Sequence, residues 1–66
     1  MDYYDLYINA KKPAIGLYVR QGAGLPDIAQ KDKDDWVFDG TAAGLEVPSS
    51  VIEGVAKDGH AFRNME

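Results

Sequence analysis

The chain has 66 residues and a mass of 7.2 kDa, which is the size of one small domain. It contains no cysteine, so neither disulfide bonds nor thiolate metal sites can stabilise it. Its formal net charge of −4 argues against non-specific binding to duplex DNA, which requires clustered cations. No apolar run approaches the roughly 18 residues of a membrane span, and the N-terminus lacks the order of a signal peptide. A soluble, cytoplasmic protein without a membrane partner is therefore expected.

The negative charge is concentrated in the middle of the chain. Residues 25–48 carry six acidic residues and two lysines, a sum of −4, whereas residues 1–24 sum to +1 and residues 49–66 to −1. The six acids are Asp27, Asp32, Asp34, Asp35, Asp39 and Glu46.

Two early segments alternate between apolar and polar residues with the period of a β-strand. The apolar positions are Tyr4, Leu6 and Ile8 in the first segment, and Ile15, Leu17 and Val19 in the second. Placing both sets on one face predicts a hairpin over residues 3–21 in which Leu6 lies opposite Leu17. The turn contains Lys11, Lys12 and Pro13. We expect a four-residue loop there rather than a two-residue turn, because Lys-Lys is not a preferred tight-turn pair.

The rest of the chain predicts a loop, a strand, a helix and a short final strand. The predicted spans are a loop over 22–35, a third strand over 36–41, a helix over 50–58 and a fourth strand over 60–65. Ser50 and Glu53 have the spacing of a capping box, and Gly59 supplies a left-handed stop. The β-β-β-α-β order predicts a small α+β domain: a three- to four-stranded antiparallel sheet with one short helix packed on one face.

The predicted core fills that one face of the sheet under the helix. Its members are Tyr4, Leu6, Ile8, Ile15, Leu17, Val19, Trp36, Phe38, Val51, Ile52, Val55 and Phe62.

Three patterns invite a chemical interpretation, and none meets its requirements. The acids from Asp32 to Asp35 lack the turn glycine and the distal acid of a calcium loop. The glycines Gly22 and Gly24 are followed by Pro26 rather than by a phosphate-binding helix. The single histidine, His60, has a carboxylate two residues away at Asp58, but nothing in the spacing brings a nucleophile to it. We expect no cofactor, no metal and no catalytic residue.

The second face of the hairpin gives the best functional lead. In the predicted register it presents Tyr3, Asp5, Tyr7, Tyr18 and Arg20, and one short helix cannot cover both faces of a sheet. Tyrosine and arginine are enriched at protein–protein hot spots. The alternative is that loop 22–35 folds over this face with Leu25 and Ile28, so that the tyrosines form a secondary core. A platform for single-stranded RNA would also use aromatic rings, but the net charge opposes it.

These observations predict a small non-catalytic module that binds another protein or itself. Pairing between the hairpin edges of two chains would give a homodimer. The first alternative is an acidic inhibitor that mimics nucleic acid and occupies a basic site on an enzyme. The second alternative is a small hydrolase-like enzyme that uses His60.

Overall fold

The computed structural model describes residues 2–64 as one four-stranded antiparallel sheet with helices on its two sides. The strands are β1 (Tyr3–Asn9), β2 (Ile15–Arg20), β3 (Trp36–Ala43) and β4 (His60–Asn64), and the α-helices are α1 (Asp27–Gln30) and α2 (Ser49–Asp58). Short 3-10 turns span Lys33–Asp35 and Gly44–Glu46. This architecture confirms the predicted α+β class and the antiparallel sheet.

The element bounds differ little from the predicted ones. The third strand extends to Ala43, and the helix begins one residue earlier, at Ser49. The predicted fourth strand is present up to Asn64, while residue 65 of that prediction lies outside the described residues. None of the helices among residues 2–64 combines the length and the apolar character needed to cross a bilayer.

The strand order in the sheet is β3-β1-β2-β4. Both strands of the hairpin are therefore interior strands, since β3 pairs with β1 and β4 pairs with β2. The expected pairing of hairpin edges between two chains is wrong, because those edges are already occupied within the chain.

The predicted hairpin register is wrong by one residue. Tyr7, not Leu6, lies opposite Leu17, and Leu6 lies opposite Tyr18. The cause is the turn, which comprises residues 10–14 and is one residue longer than the expected loop. The side chain of Asn9 orders this turn, since its Oδ1 accepts the backbone N–H groups of Lys11 at 2.9 Å and Lys12 at 3.0 Å.

A slip of one residue moves every side chain of one strand to the other face. The core is consequently divided between the two faces of the sheet. On the side of α2, which we call the helix face, buried residues form one cluster: Tyr4, Tyr18, Val47, Val51 and Val55, with Leu6, Ala42, Ile52 and Ala61 packed against it. On the opposite side, which we call the second face, Leu17, Val19 and Ala29 form another cluster, with Tyr7, Leu25 and Trp36 around it.

Two predicted core residues are exposed. Phe38 is 54% exposed and Phe62 is 46% exposed. Both lie on the second face, opposite Tyr7 and Leu17 respectively, whereas α2 covers only the helix face.

Helix α2 ends as predicted but does not begin as predicted. Gly59 adopts a left-handed conformation with φ of +83°, and its N–H donates to the Val55 carbonyl at 2.8 Å. At the other end Pro48 is the N-cap residue, and no side chain caps the helix. The predicted capping box of Ser50 and Glu53 is wrong, because Ser50 already lies inside the first turn.

A glycine inside α2 allows the helix to approach the sheet closely. A Cβ atom added to Gly54 would lie only 2.9 Å from the Cβ of Ala61 in β4. Glycine weakens a helix, by about 1 kcal/mol relative to alanine. Here its missing side chain permits contact between α2 and β4.

Candidate protein-binding surface

Residues 22–35, which we call the covering segment, cross the second face of the sheet. Its short helix α1 buries Ala29, and Leu25 packs beside it, over Leu17 and Val19. The sequence leaves open whether this segment covers the second face, and the structure shows that it does. The contact is made by Leu25 and Ala29 rather than by Leu25 and Ile28, since Ile28 is 55% exposed.

A buried carboxylate anchors the start of the covering segment. Asp5, in β1, is 7% exposed and points to the second face. Its Oδ2 accepts the Gly22 N–H at 2.9 Å, and its Oδ1 accepts the Thr41 hydroxyl at 2.8 Å. Both oxygens of the buried group are thereby satisfied, as a buried carboxylate requires.

The covering segment leaves the two flanks of the second face open. Four residues that pair in register form a line across all four strands, from Phe38 through Tyr7 and Leu17 to Phe62. Leu17 is fully buried in the middle, while the phenylalanines at the two ends are about half exposed. Three interstrand steps of about 4.8 Å separate the end residues, so their backbones are about 14 Å apart.

The aromatic rings on this face contact one another. Tyr7 and Phe38 meet edge to face with centroids 5.6 Å apart, and Trp36 lies 5.9 Å from Phe62. His60 contacts the same Phe62 ring edge to face at 5.6 Å. We call these five side chains the aromatic row. Their mutual contacts restrict rotamers before any ligand arrives, which lowers the entropy lost on binding.

Acidic side chains lie beside the aromatic row. Trp36 Nε1 donates to Asp32 Oδ1 at 3.4 Å, a long hydrogen bond. Asp35 forms an ion pair with Lys11 at 3.5 Å, whereas Asp34 and Asp39 are exposed. Asp32 and Asp35 therefore have partners within the chain, and Asp34 and Asp39 face solvent.

The five residues predicted as a partner surface do not share one face. Tyr3, Asp5 and Tyr7 lie on the second face, while Tyr18 and Arg20 belong to the helix face. Tyr18 is only 4% exposed in the core under α2, and its hydroxyl is 3.5 Å from Arg63 Nη1. Tyr3 and Arg20 are exposed and line a shallow depression. The predicted single surface depended on the incorrect register.

The sequence interpretation found Tyr7 in the aromatic row and missed the other four members. It assigned Trp36, Phe38 and Phe62 to the core and treated His60 only as a catalytic candidate. The missed signal is Asn9 before the two lysines, which favours an Asx turn and a longer loop. The face of Trp36 and Phe38 is set instead by the pairing of β3 with β1, in which Trp36 lies opposite Asn9 and Phe38 opposite Tyr7.

His60 and the acidic residues are the remaining candidates for chemistry. His60 lies in β4 with its ring against Phe62, and no hydrogen bond joins it to a carboxylate or a hydroxyl among residues 2–64. In the same part of the chain, no group of three or more His, Cys, Asp or Glu side chains could hold a metal ion.

The fold and this surface define a small α+β domain with exposed rings on one sheet face. No family model, no curated protein and no solved structure matches the chain.

Proposed function

We propose that this chain is a non-catalytic protein-binding module and that the aromatic row is its binding surface. The observation that supports this proposal is the exposure of Phe38 and Phe62, the only two phenylalanines of the chain. Burying a large apolar side chain contributes about 1.5–3 kcal/mol. A domain of this size has few such residues to use, so leaving both rings half exposed is consistent with a role outside the core.

The dimensions of the surface are suited to a single protein partner. A standard interface takes about 800 Å² from each partner and is therefore about 30 Å across. Phe38 and Phe62, about 14 Å apart, fit within that width. Aromatic anchors of this kind contribute strongly to binding because they bring a large area with few rotatable bonds.

The experiment compares capture by matched variants. The immobilised protein, Phe38→Ser, Phe62→Ser and the control Leu45→Ser are exposed to an extract of the native host. Leu45 is 86% exposed in the 3-10 turn Gly44–Glu46, so its replacement also removes a surface leucine but leaves the aromatic row intact. We expect the wild type and the control to capture the same protein. Each phenylalanine variant should capture at least about tenfold less of it.

Stability measurements on the same variants distinguish binding from packing. Because both rings are half exposed, Phe38→Ser and Phe62→Ser should each lower the free energy of unfolding by about 0.8–1.5 kcal/mol, half of the value for full burial. Equal capture by all four proteins would refute the proposal. A loss of about 3 kcal/mol or more in either variant would show that the rings belong to the core.

The alternative function is an acidic inhibitor that mimics nucleic acid. It is supported by the exposed acids Asp27, Asp34 and Asp39, and weakened by the use of Asp32 and Asp35 within the chain. This alternative would be favoured if a nucleic-acid competitor released the captured partner, and if the release were the same from Phe62→Ser as from the wild type.

A further inference from the structure

Strand β3 has an edge that pairs with no other strand among residues 2–64. The N–H and C=O groups along such an edge bind a further extended segment readily. Two consecutive residues of β3 are large, apolar and exposed: Val37 at 55% and Phe38 at 54%. Because successive side chains of a strand point to opposite faces, a strand added here would cover an apolar side chain on each face of the sheet.

The charge of Asp39, in the middle of β3, makes a second copy of this chain a less suitable partner for the edge than another protein. Asp39 is the extra residue of a β-bulge, between Phe38, which pairs with Tyr7, and Gly40, which pairs with Leu6. Antiparallel pairing of two β3 edges about their centre would bring two Asp39 carboxylates together. Like charges opposite each other destabilise a sheet, so this residue opposes self-pairing.

The same carboxylate favours an incoming strand that carries a cation. Asp39 is exposed, and the residues of β3 from Trp36 to Ala43 include no lysine or arginine. Just before the strand, the exposed Asp34 is balanced by the exposed Lys33, so Asp39 supplies the charge of this edge. We propose that the edge of β3 binds an extended segment of a partner protein, with apolar side chains next to Val37 and Phe38 and a cationic side chain next to Asp39. This inference rests on the proposed function and specifies how the partner binds.

The test uses two capped nine-residue peptides built from valine and threonine. One contains two arginines, and the other has glutamate in their place. Binding to the full chain is followed by NMR titration and by hydrogen exchange of the β3 amides. We expect the arginine peptide to bind at least about fivefold more tightly and to protect alternate amides of β3.

A charge reversal provides the matched control. Asp39→Lys should reverse the preference between the two peptides, because the edge then carries a cation. Glu53→Lys makes the same change of charge on the exposed side of α2 and should leave the preference as it is in the wild type.

Three results would overturn the inference. The first is binding of the arginine peptide without protection of β3 amides, and the second is no difference between the peptides. The third is protection of the β3 edge by concentration-dependent self-association without any peptide. If one of these occurs while capture from the extract still depends on Phe62, in the strand at the other edge of the sheet, the proposed function stands and only the strand-addition mode fails.

Discussion

The carboxylate of Asp5 accepts the backbone N–H of Gly22 at 2.9 Å, and so joins an interior strand to the start of the covering segment. The same side chain accepts the Thr41 hydroxyl from β3. One buried acid thus holds β1, β3 and the covering segment together. The position of that segment determines which rings of the second face remain exposed.

Asp5→Ala should destabilise the protein by about 1–2 kcal/mol, because it removes two charge-assisted hydrogen bonds. Gly22 and Thr41 are exposed, so water can replace the lost partner and limit the effect. Urea denaturation measures the change, and Asp2→Ala, at an exposed acid, serves as the control. Equal midpoints for the two variants would show that the Asp5 contacts do not hold the covering segment.

Asn9→Ala should lower the free energy of unfolding by about 0.5–1.5 kcal/mol, since the turn loses two hydrogen bonds to exposed amides. Asn9→Asp retains the acceptor oxygen and should restore most of that stability. Thermal unfolding followed by circular dichroism compares the two variants. If alanine and aspartate behave alike, the Asn9 side chain does not stabilise the turn.

Tyr18→Ala should destabilise the protein by about 3 kcal/mol, because Tyr18 lies in the core under α2. Tyr3→Ala, at a tyrosine that is 46% exposed, should change stability by less than about 1 kcal/mol. The predicted register would put both tyrosines on the same face and make their effects similar. Urea midpoints for the two variants therefore test the observed register directly, and complete unfolding of Tyr18→Ala would agree with it.

Gly54→Ala should destabilise the protein by about 1–2 kcal/mol, although alanine is the better helix former. The added methyl group would lie 2.9 Å from the Ala61 Cβ and push α2 away from β4. The double variant Gly54→Ala with Ala61→Gly removes that clash, so the two effects should not add. Ala56→Gly, at an exposed position of the same helix, measures the propensity effect alone. Stabilisation by Gly54→Ala would contradict the close approach.

Local signals were sufficient to predict most of the elements. The alternation in residues 3–9 and 15–20, the aromatic third strand and the left-handed stop at Gly59 all depend on neighbours in the sequence. The length of the hairpin turn was not determined by these signals. Both strands carry apolar residues at alternate positions and tyrosines between them, so either register gives each face enough apolar side chains.

Local periodicity and composition are sufficient to predict the α+β class, the order of the four strands and α2, and the uneven distribution of charge. Which residues share a face depends on how the strands pair across the sheet. Asn9 orders a turn of five residues, residues 10–14, which shifts the register by one. That shift buries Tyr18 under α2 and places Leu17 and Val19 under the covering segment. It also puts Phe62, which pairs with Leu17, on the second face, whereas Phe38 lies there because β3 pairs it with Tyr7. A register is a relation between two strands, and its energy depends on the packing of both faces at once, which neither strand specifies alone.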